Sequence, residues 1–243
     1  MPHEASAAIL TIGNELVSGD VASSNGTWLA KRLGPLGFGV RLIVSIPDEL
    51  DRIVEWVRVE APQADIVLVT GGLGGTPDDI TREALAATFS VEQVELSELA
   101  DDLRSRFPNH PEYVARWAHL PVGSRPLRNP LGGAPGFAIE NVYVLPGLPS
   151  EMEAMFLALE PELKGGPPIR SWRRRYDTGE SRIAALLEEA IARWPGVLVG
   201  SYPSFEPGNA TVEVVLKSRD GEALEAASTW LDPLLHETSR PAR

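Results

Sequence analysis

The chain has 243 residues, enough to bury a substantial core in one large domain, alone or with a small annex. Its 34 acidic against 22 basic residues give a formal net charge of −12, which opposes non-specific contact with nucleic acid or an anionic membrane. Cysteine is absent, which excludes disulfides, thiol chemistry and cysteine-ligated metal centres. The four histidines, at 3, 110, 119 and 236, are scattered without metal-ligand spacing. The opening MPHEASAAILTIG lacks a basic leader, and no apolar stretch approaches the length of a membrane span, so a cytoplasmic protein is expected.

In chain order, residues 7–12 form an apolar run that stops at Gly13, which predicts a buried strand. NGTWLAKRL at 25–33 predicts a helix capped by Asn25 and closed by Gly34 and Pro35. Residues 40–46 are rich in β-branched side chains and predict a second strand. Leu50, Ile53, Val54 and Val57 then follow helical spacing, with Asp48 as N-cap. IVLVT at 66–70 reads as a strand covered on both faces. Helices are predicted over 80–88 and 95–107, then a Pro/Gly loop over 121–136. A hairpin over 137–146 turns at Glu140-Asn141, and a helix over 150–159 begins with a capping box of Ser150 and Glu153.

KGGPP at 164–168 reads as a linker, dividing the chain into domains of 1–165 and 166–243. The pattern then restarts as β-α-β-α. Arg173, Arg174 and Arg175 read as a solvated strand or a domain seam. Ile183, Leu186, Leu187, Ala190, Ile191 and Trp194 mark an amphipathic helix, followed by a strand over 211–217 and a helix over 221–235. The expected architecture is a layered α/β domain followed by a small α+β unit.

Three loops leave presumed parallel strands at their C-terminal ends: Gly13-Asn14-Glu15, the stretch 71–79, and Pro146-Gly147. That edge of an open α/β sheet is where ligand crevices form. TGGLGGTPDDITREA at 70–84 brings glycines, suited to close approach by an anion, together with Asp78 and Asp79, which repel one. Two readings stand open. Thr76, Pro77 and Asp79 form the capped first turn of a helix, contributing about 1 kcal/mol with no ligand required. Alternatively the acids hold a divalent cation. Without one, each acid would cost a neighbouring phosphate roughly 3 kcal/mol at 5 Å and an effective dielectric of 20.

Together, IGNELVSGDVASSNGTWLAKRL, TGGLGGTPDDITREALA, NPLGGAPGF and LPGLPSEMEAMF resemble, in order, the signatures of the molybdopterin-binding domain of CinA proteins. TGES at 178–181 and GSYP at 200–203 resemble the small domain that follows in CinA-like proteins, and GSYP also resembles the N-terminal half of eukaryotic FAD synthases. The resemblance implies a three-layer α/β/α domain with a mostly parallel sheet. It also implies metal-dependent hydrolysis of ADP-ribose or FAD. The family's acidic pair maps onto Asp78 and Asp79, and its glycine loop onto Gly71, Gly72 and Gly74. Its N-terminal acid, glycine and amide map onto Glu15, Gly19 and Asn25, and its second glycine loop onto Gly133, Ala134, Pro135 and Gly136. The pattern is departed from at Gly75, where proline is usual, at Pro77, where a polar residue is usual, and at Trp117, where many relatives carry an amide. The sequence has no counterpart to the deamidase domain that ends many CinA proteins or to the FAD-forming domain of the synthases, so neither activity is expected.

The expected activity is a divalent-metal-dependent nucleotide pyrophosphatase using Mg, Mn or Co. Asp78 and Asp79 are the expected metal ligands and Glu15 a further ligand or base. Gly13, Asn25, Gly71, Gly72, Gly74, Gly75, Thr76, Gly133, Ala134, Pro135, Gly136, Pro146 and Gly147 are expected to line the substrate site. Changing both aspartates to asparagine is expected to abolish hydrolysis with little change in melting temperature. The alternatives are a molybdopterin-binding or adenylyl-transfer protein and a non-catalytic regulator. The expected partner is a nucleotide or pterin small molecule, with neither nucleic acid nor membrane, and the expected assembly is a homo-oligomer.

Overall fold

The computed structural model describes residues 4–206 and 209–239 and divides into two compact units, Met1–Gly166 and Pro167–Arg243. The first unit contains, in order, β1 (Ser6–Ile12), α1 (Asn14–Ser18), α2 (Ser24–Leu33), β2 (Gly39–Ile46), α3 (Leu50–Glu60), β3 (Ile66–Thr70) and α4 (Thr81–Phe89). There follow β4 (Gln93–Glu95), α5 (Ser97–Arg106), α6 (Pro111–Ala115), β5 (His119–Pro121), β6 (Arg125–Leu127), β7 (Gly136–Ile139), β8 (Val142–Leu145) and α7 (Pro149–Leu159).

The main sheet runs β2-β1-β3-β8-β7-β6. Its first four strands are parallel, and β7 and β6 continue it as an antiparallel extension. Alternation along β1 and β3 sends side chains to two separate cores, as a strand's period of two requires. Ala8, Leu10, Val67 and Val69 meet Ile53, Val57, Ala84 and Leu85 of α3 and α4. Ala7, Ile9, Ile66 and Leu68 meet Leu29, Leu33, Met152 and Phe156 of α2 and α7. Both faces are thus covered, which is why β3 is apolar from Ile66 to Val69 and buried throughout. The unit is a three-layer α/β/α domain, as expected. The hairpin also turns where expected, with Glu140 at φ 50°.

Two local expectations fail, a helix start and a loop: the stretch 121–136 expected as loop contains strand β6. Residues 93–95 pair with β5 as a short antiparallel ribbon, so the helix placed over 95–107 starts only at Ser97. The short helices α1 and α6 and strand β6 carry too few residues to show a period.

The second unit contains β9 (Arg170–Tyr176), α8 (Ala184–Arg193), β10 (Leu198–Glu206), β11 (Asn209–Ser218) and α9 (Gly221–Ser239), giving a sheet ordered β10-β11-β9. Val212, Val214 and Leu216 pack under Leu187, Leu224, Leu231 and Leu235 of the two helices. The expected β-α-β-α pattern is therefore β-α-β-β-α. Strand β10 escaped notice because it is an edge strand, carries Gly200 and Pro203, and leaves Leu198 and Phe205 72% and 78% exposed. The arginine run lies on β9, where Arg173 and Arg174 pair with Glu213 and Asp232. Asp232 also accepts a 2.6 Å hydrogen bond from the Tyr176 hydroxyl. Burial, then that carboxylate, pushes the Tyr176 phenol above the ordinary tyrosine range, so it stays protonated.

Candidate functional site

The C-terminal edge of the parallel strands brings four loops together, after β1, β2, β3 and β8. Glycine is what allows them to touch. Gly71 has φ 113°, and a β-carbon there would lie 2.1 Å from the Ile12 carbonyl oxygen. One on Gly147 would lie 3.3 Å from the Gly71 α-carbon. Asn25, expected as a helix cap, does something else. It sits inside α2, whose cap position is Ser23, and its Nδ2 donates to Thr70 Oγ1 at 3.0 Å and to the Gly147 carbonyl at 2.9 Å. The Thr70 hydroxyl in turn donates to the Pro146 carbonyl at 2.6 Å. Asn25 thus ties the β3 and β8 loops together.

The glycine loop after β3 is fastened from beneath. Thr81 Oγ1 donates to the Gly71 carbonyl at 2.9 Å. The Arg82 guanidinium, only 4% exposed, donates to the Leu73 and Gly74 carbonyls at 2.8 and 2.6 Å. Burial pulls its pKa below the ordinary arginine value, against which the charges of Glu83 and Asp79 act. Arg116 Nη1 donates to the Gly75 carbonyl at 2.9 Å. The expected capping turn at 76–79 is absent, because α4 begins at Thr81 with Ile80 at the cap position. Instead Asp79 is the acceptor. Its two oxygens take the Gly74 amide at 2.9 Å, the Thr76 amide at 2.8 Å and the Thr76 hydroxyl. The other two expected caps fail likewise. No side-chain cap bond forms at the start of α7, where Leu148 takes the cap position. Asp48 accepts from the Asn14 amide at 2.8 Å rather than capping α3.

Over these loops lies a cavity of about 380 Å³. Of the expected site residues, Gly13, Glu15, Gly71, Gly72, Gly74, Asp78, Asp79, Gly133, Ala134, Pro146 and Gly147 line it. Asn25, Gly75, Thr76, Pro135 and Gly136 do not. Pro135 faces a separate cavity of about 620 Å³. Gly136 opens β7, where a β-carbon would lie 2.2 Å from the Val144 carbonyl oxygen, so its smallness serves strand packing.

Sequence reasoning missed two carboxylates on the wall, Asp48 and Glu151. Asp48 follows β2, the fourth parallel strand, and the edge rule that selected the other loops would have found it. Glu151 sits in the first turn of α7 and accepts from Asn129 Nδ2 at 3.0 Å. The same Nδ2 donates to the Ala134 carbonyl at 3.0 Å, which ties Glu151 to the second glycine loop.

Five carboxylates, Glu15, Asp48, Asp78, Asp79 and Glu151, therefore line the cavity, and no Lys, Arg or His does so among the described residues. The glycines make room for these acids. A β-carbon on Gly13, Gly74 or Gly133 would lie 2.3, 2.4 or 2.1 Å from an oxygen of Glu15, Asp79 or Glu151 respectively. The crowding is felt at Asp48, whose carboxyl is raised above the ordinary aspartate value. Burial contributes most, the Asn14 amide opposes it, and the charges of Glu15, Asp78 and Asp79 raise it further. Asp78 is exposed and lies below the usual range, because the Thr76 side chain and its own backbone hydrogen bond stabilise its charge.

Fewer amides face a ligand than the glycine count suggests. Those of Gly13, Gly71 and Gly74 are spent on Ile46, Leu145 and Asp79, whereas the amides of Gly72, Leu73 and Gly75 have no acceptor among the described residues. Among the described residues no three His, Asp or Glu side chains are grouped to hold a metal ion. The wall nonetheless fits a hard cation that takes one or two carboxylates and completes its shell with phosphate oxygens and water, the mode typical of Mg²⁺. Asp79 Oδ1 accepts one bond and keeps a lone pair for such a ligand.

The fold is shared with known proteins. Residues 8–165 match the family model described as "Probable molybdopterin binding domain", and residues 173–241 match "FAD synthase, middle domain". A solved CinA structure of unknown function from Thermoplasma acidophilum superposes with a TM-score of 0.62 and 31% identity, covering 66% of this chain and 99% of that one. The chain is a CinA-like member of the molybdopterin-binding-domain family. A protein of Archaeoglobus fulgidus is 36% identical over 94% of this chain and 97% of its own length. A CinA-like protein of Parasynechococcus marenigrum is 34% identical over 98% of this chain, which spans 59% of that relative. No helix among the described residues is long and apolar enough to cross a membrane.

Proposed function

We propose that the chain is a divalent-cation-dependent hydrolase of the pyrophosphate in an adenine dinucleotide such as ADP-ribose or FAD. The observation that carries this reading is the cavity wall of five carboxylates and, among the described residues, no base, set beside amides with no acceptor among those residues at the end of a parallel sheet. Such a wall repels a bare phosphate by roughly 3 kcal/mol per carboxylate at 5 Å and an effective dielectric of 20. A divalent cation held by these carboxylates would offset that repulsion.

Asp78, exposed and held ionised, is the proposed direct ligand, with Glu15 as a second ligand or as the acceptor that orients the attacking water. Asp79 supplies its remaining lone pair while its other contacts keep the glycine loop closed. Amides of Gly72 and Leu73 point the phosphate, and packing by Gly71 and Gly147 holds the neighbouring loops against them. When bound, Mg²⁺, Mn²⁺ or Co²⁺ supplies polarisation of a phosphoryl oxygen and lowers the pKa of water.

A second reading, binding of a pterin or adenylyl transfer to one, is favoured by the family match over residues 8–165. The fold alone does not choose between these chemistries. A screen of ADP-ribose, FAD, NAD and CoA with each cation, read by release of AMP or, from CoA, of 3′-phospho-AMP, separates them. Cation-dependent AMP release without added pterin supports hydrolysis. Tight pterin binding with no AMP release from any of the four supports the second reading.

A further inference from the structure

Among the described residues that line the carboxylate cavity, Trp117 is the one aromatic. It sits on a short 3-10 turn after α6 and is only partly buried. Two ring contacts fix its plane: Phe107 at 5.6 Å and 82°, and Tyr113 at 5.7 Å and 69°. Tyr113 in turn packs on the glycine loop. A β-carbon on Gly75 would lie 2.5 Å from a Tyr113 ring carbon, so any other residue at 75 displaces Tyr113 and with it the support of Trp117. Arg116 closes this arrangement through its bond to the Gly75 carbonyl. Gly75 is thus absent from the cavity wall and yet shapes it, by leaving room for the aromatic pair.

A packing role alone accounts poorly for this side chain. The indole Nε1–H is buried without a hydrogen-bond partner among the described residues, a cost that a leucine or phenylalanine in the same place would avoid. A pre-oriented, partly exposed indole beside a phosphate-directing loop has the properties of a stacking platform, which holds a planar heterocycle through its π-face without reading its edges.

We propose that Trp117 is the specificity-determining residue of this cavity and stacks on the planar heteroaromatic ring of the ligand whose phosphate lies at the glycine loop. The proposal rests on the reading of that cavity as a phosphoester site. Its chemistry is shared by adenine and pterin rings, whereas a bare sugar phosphate is held at the glycine loop without stacking.

The test uses the whole protein, its tryptophans labelled with ¹⁵N at the indole, and three probes in the presence of Mg²⁺: AMP, 6-hydroxymethylpterin and ribose 5-phosphate. The Trp117 indole resonance, assigned by its loss in Trp117→Phe, shifts with AMP or 6-hydroxymethylpterin and stays still with ribose 5-phosphate. Which of the two ring-bearing probes moves it identifies the ring. By calorimetry Trp117→Leu weakens the ring-bearing probe about tenfold to a hundredfold, the range expected from alanine substitution at base-stacking sites. Trp117→Phe stays within about threefold of the wild type, and ribose 5-phosphate binding is the same in all three proteins. Should Trp117→Leu fail to fold, the wild-type resonance decides. An unmoved resonance on saturation with a ring-bearing probe overturns stacking while leaving the phosphate site standing, as does equal loss of all probes in Trp117→Leu. No binding of any probe to the wild type, with Mg²⁺ present, overturns both.

Discussion

Replacing Asp79 by asparagine removes the carboxylate that closes the 74–79 turn. In the wild type that group accepts the Gly74 amide, the Thr76 amide and the Thr76 hydroxyl. Asparagine keeps one acceptor oxygen and presents an NH₂ where the second stood, so the Thr76 amide faces another donor. Hydrogen bonds to a charged acceptor contribute about 1.5–3 kcal/mol when buried. This turn is partly open to water, which replaces some of the loss, so the expected cost is about 1–2 kcal/mol. For a unit of this size that corresponds to a melting temperature lower by about 2–8 °C. Asp78→Asn, at an exposed carboxylate, leaves the melting temperature where it was. The double Asp78/Asp79→Asn protein, expected from the sequence to melt little changed, is therefore predicted to melt lower on account of Asp79. Thermal and urea melts in EDTA, without ligand, read the difference. Equal melting of both variants with the wild type, or an equal loss in both, refutes the assignment of Asp79 as loop fastener.

Three further outcomes follow from the same geometry. The raised carboxyl of Asp48 costs the folded state stability once ionised, so the penalty grows as pH rises past the ordinary 3.8. Asp48→Asn, which keeps an acceptor for the Asn14 amide, accordingly raises the melting temperature at pH 7 in EDTA, and the gain fades as pH falls toward 3.8; a pH-independent gain contradicts this. Gly71→Ala places a β-carbon against the Ile12 carbonyl oxygen at positive φ and costs about 3 kcal/mol or more in urea melts. Arg82→Met leaves the Leu73 and Gly74 carbonyls unpaired beneath the loop and costs about 2–4 kcal/mol, measured by the same melts.

The layered fold was legible in the sequence because both faces of the parallel strands are buried. A run such as IVLVT can only be read one way once it is too short for a helix. The position of the cavity was legible for the same reason, since glycines after three such strands mark one sheet edge. The roles of individual polar residues were not. Asn25, Asp48, Thr76 and Asp79 all have side chains that cap helices well, and local pattern assigned each that role. In the structure Asn25 and Asp48 bond across loops instead, to Gly147 and Asn14, 122 and 34 residues away, while Thr76 and Asp79 bond each other to close the loop ahead of the helix. Such long-range partners leave no periodic trace. Gly75 shows the converse. A glycine that seems only to loosen the loop is required by the Tyr113 ring, which lies 38 residues further on by the chain numbering (113 − 75).

The central claim is that this acid-lined cavity accepts a pyrophosphate only together with a divalent cation. Calorimetric titration of the protein with the non-hydrolysable α,β-methylene analogue of ADP-ribose, in Mn²⁺ and in EDTA, tests it most directly. Saturable binding in Mn²⁺ that disappears in EDTA, and that Asp78→Asn weakens at least tenfold, is the predicted result. Equal affinity with and without the cation would contradict the claim.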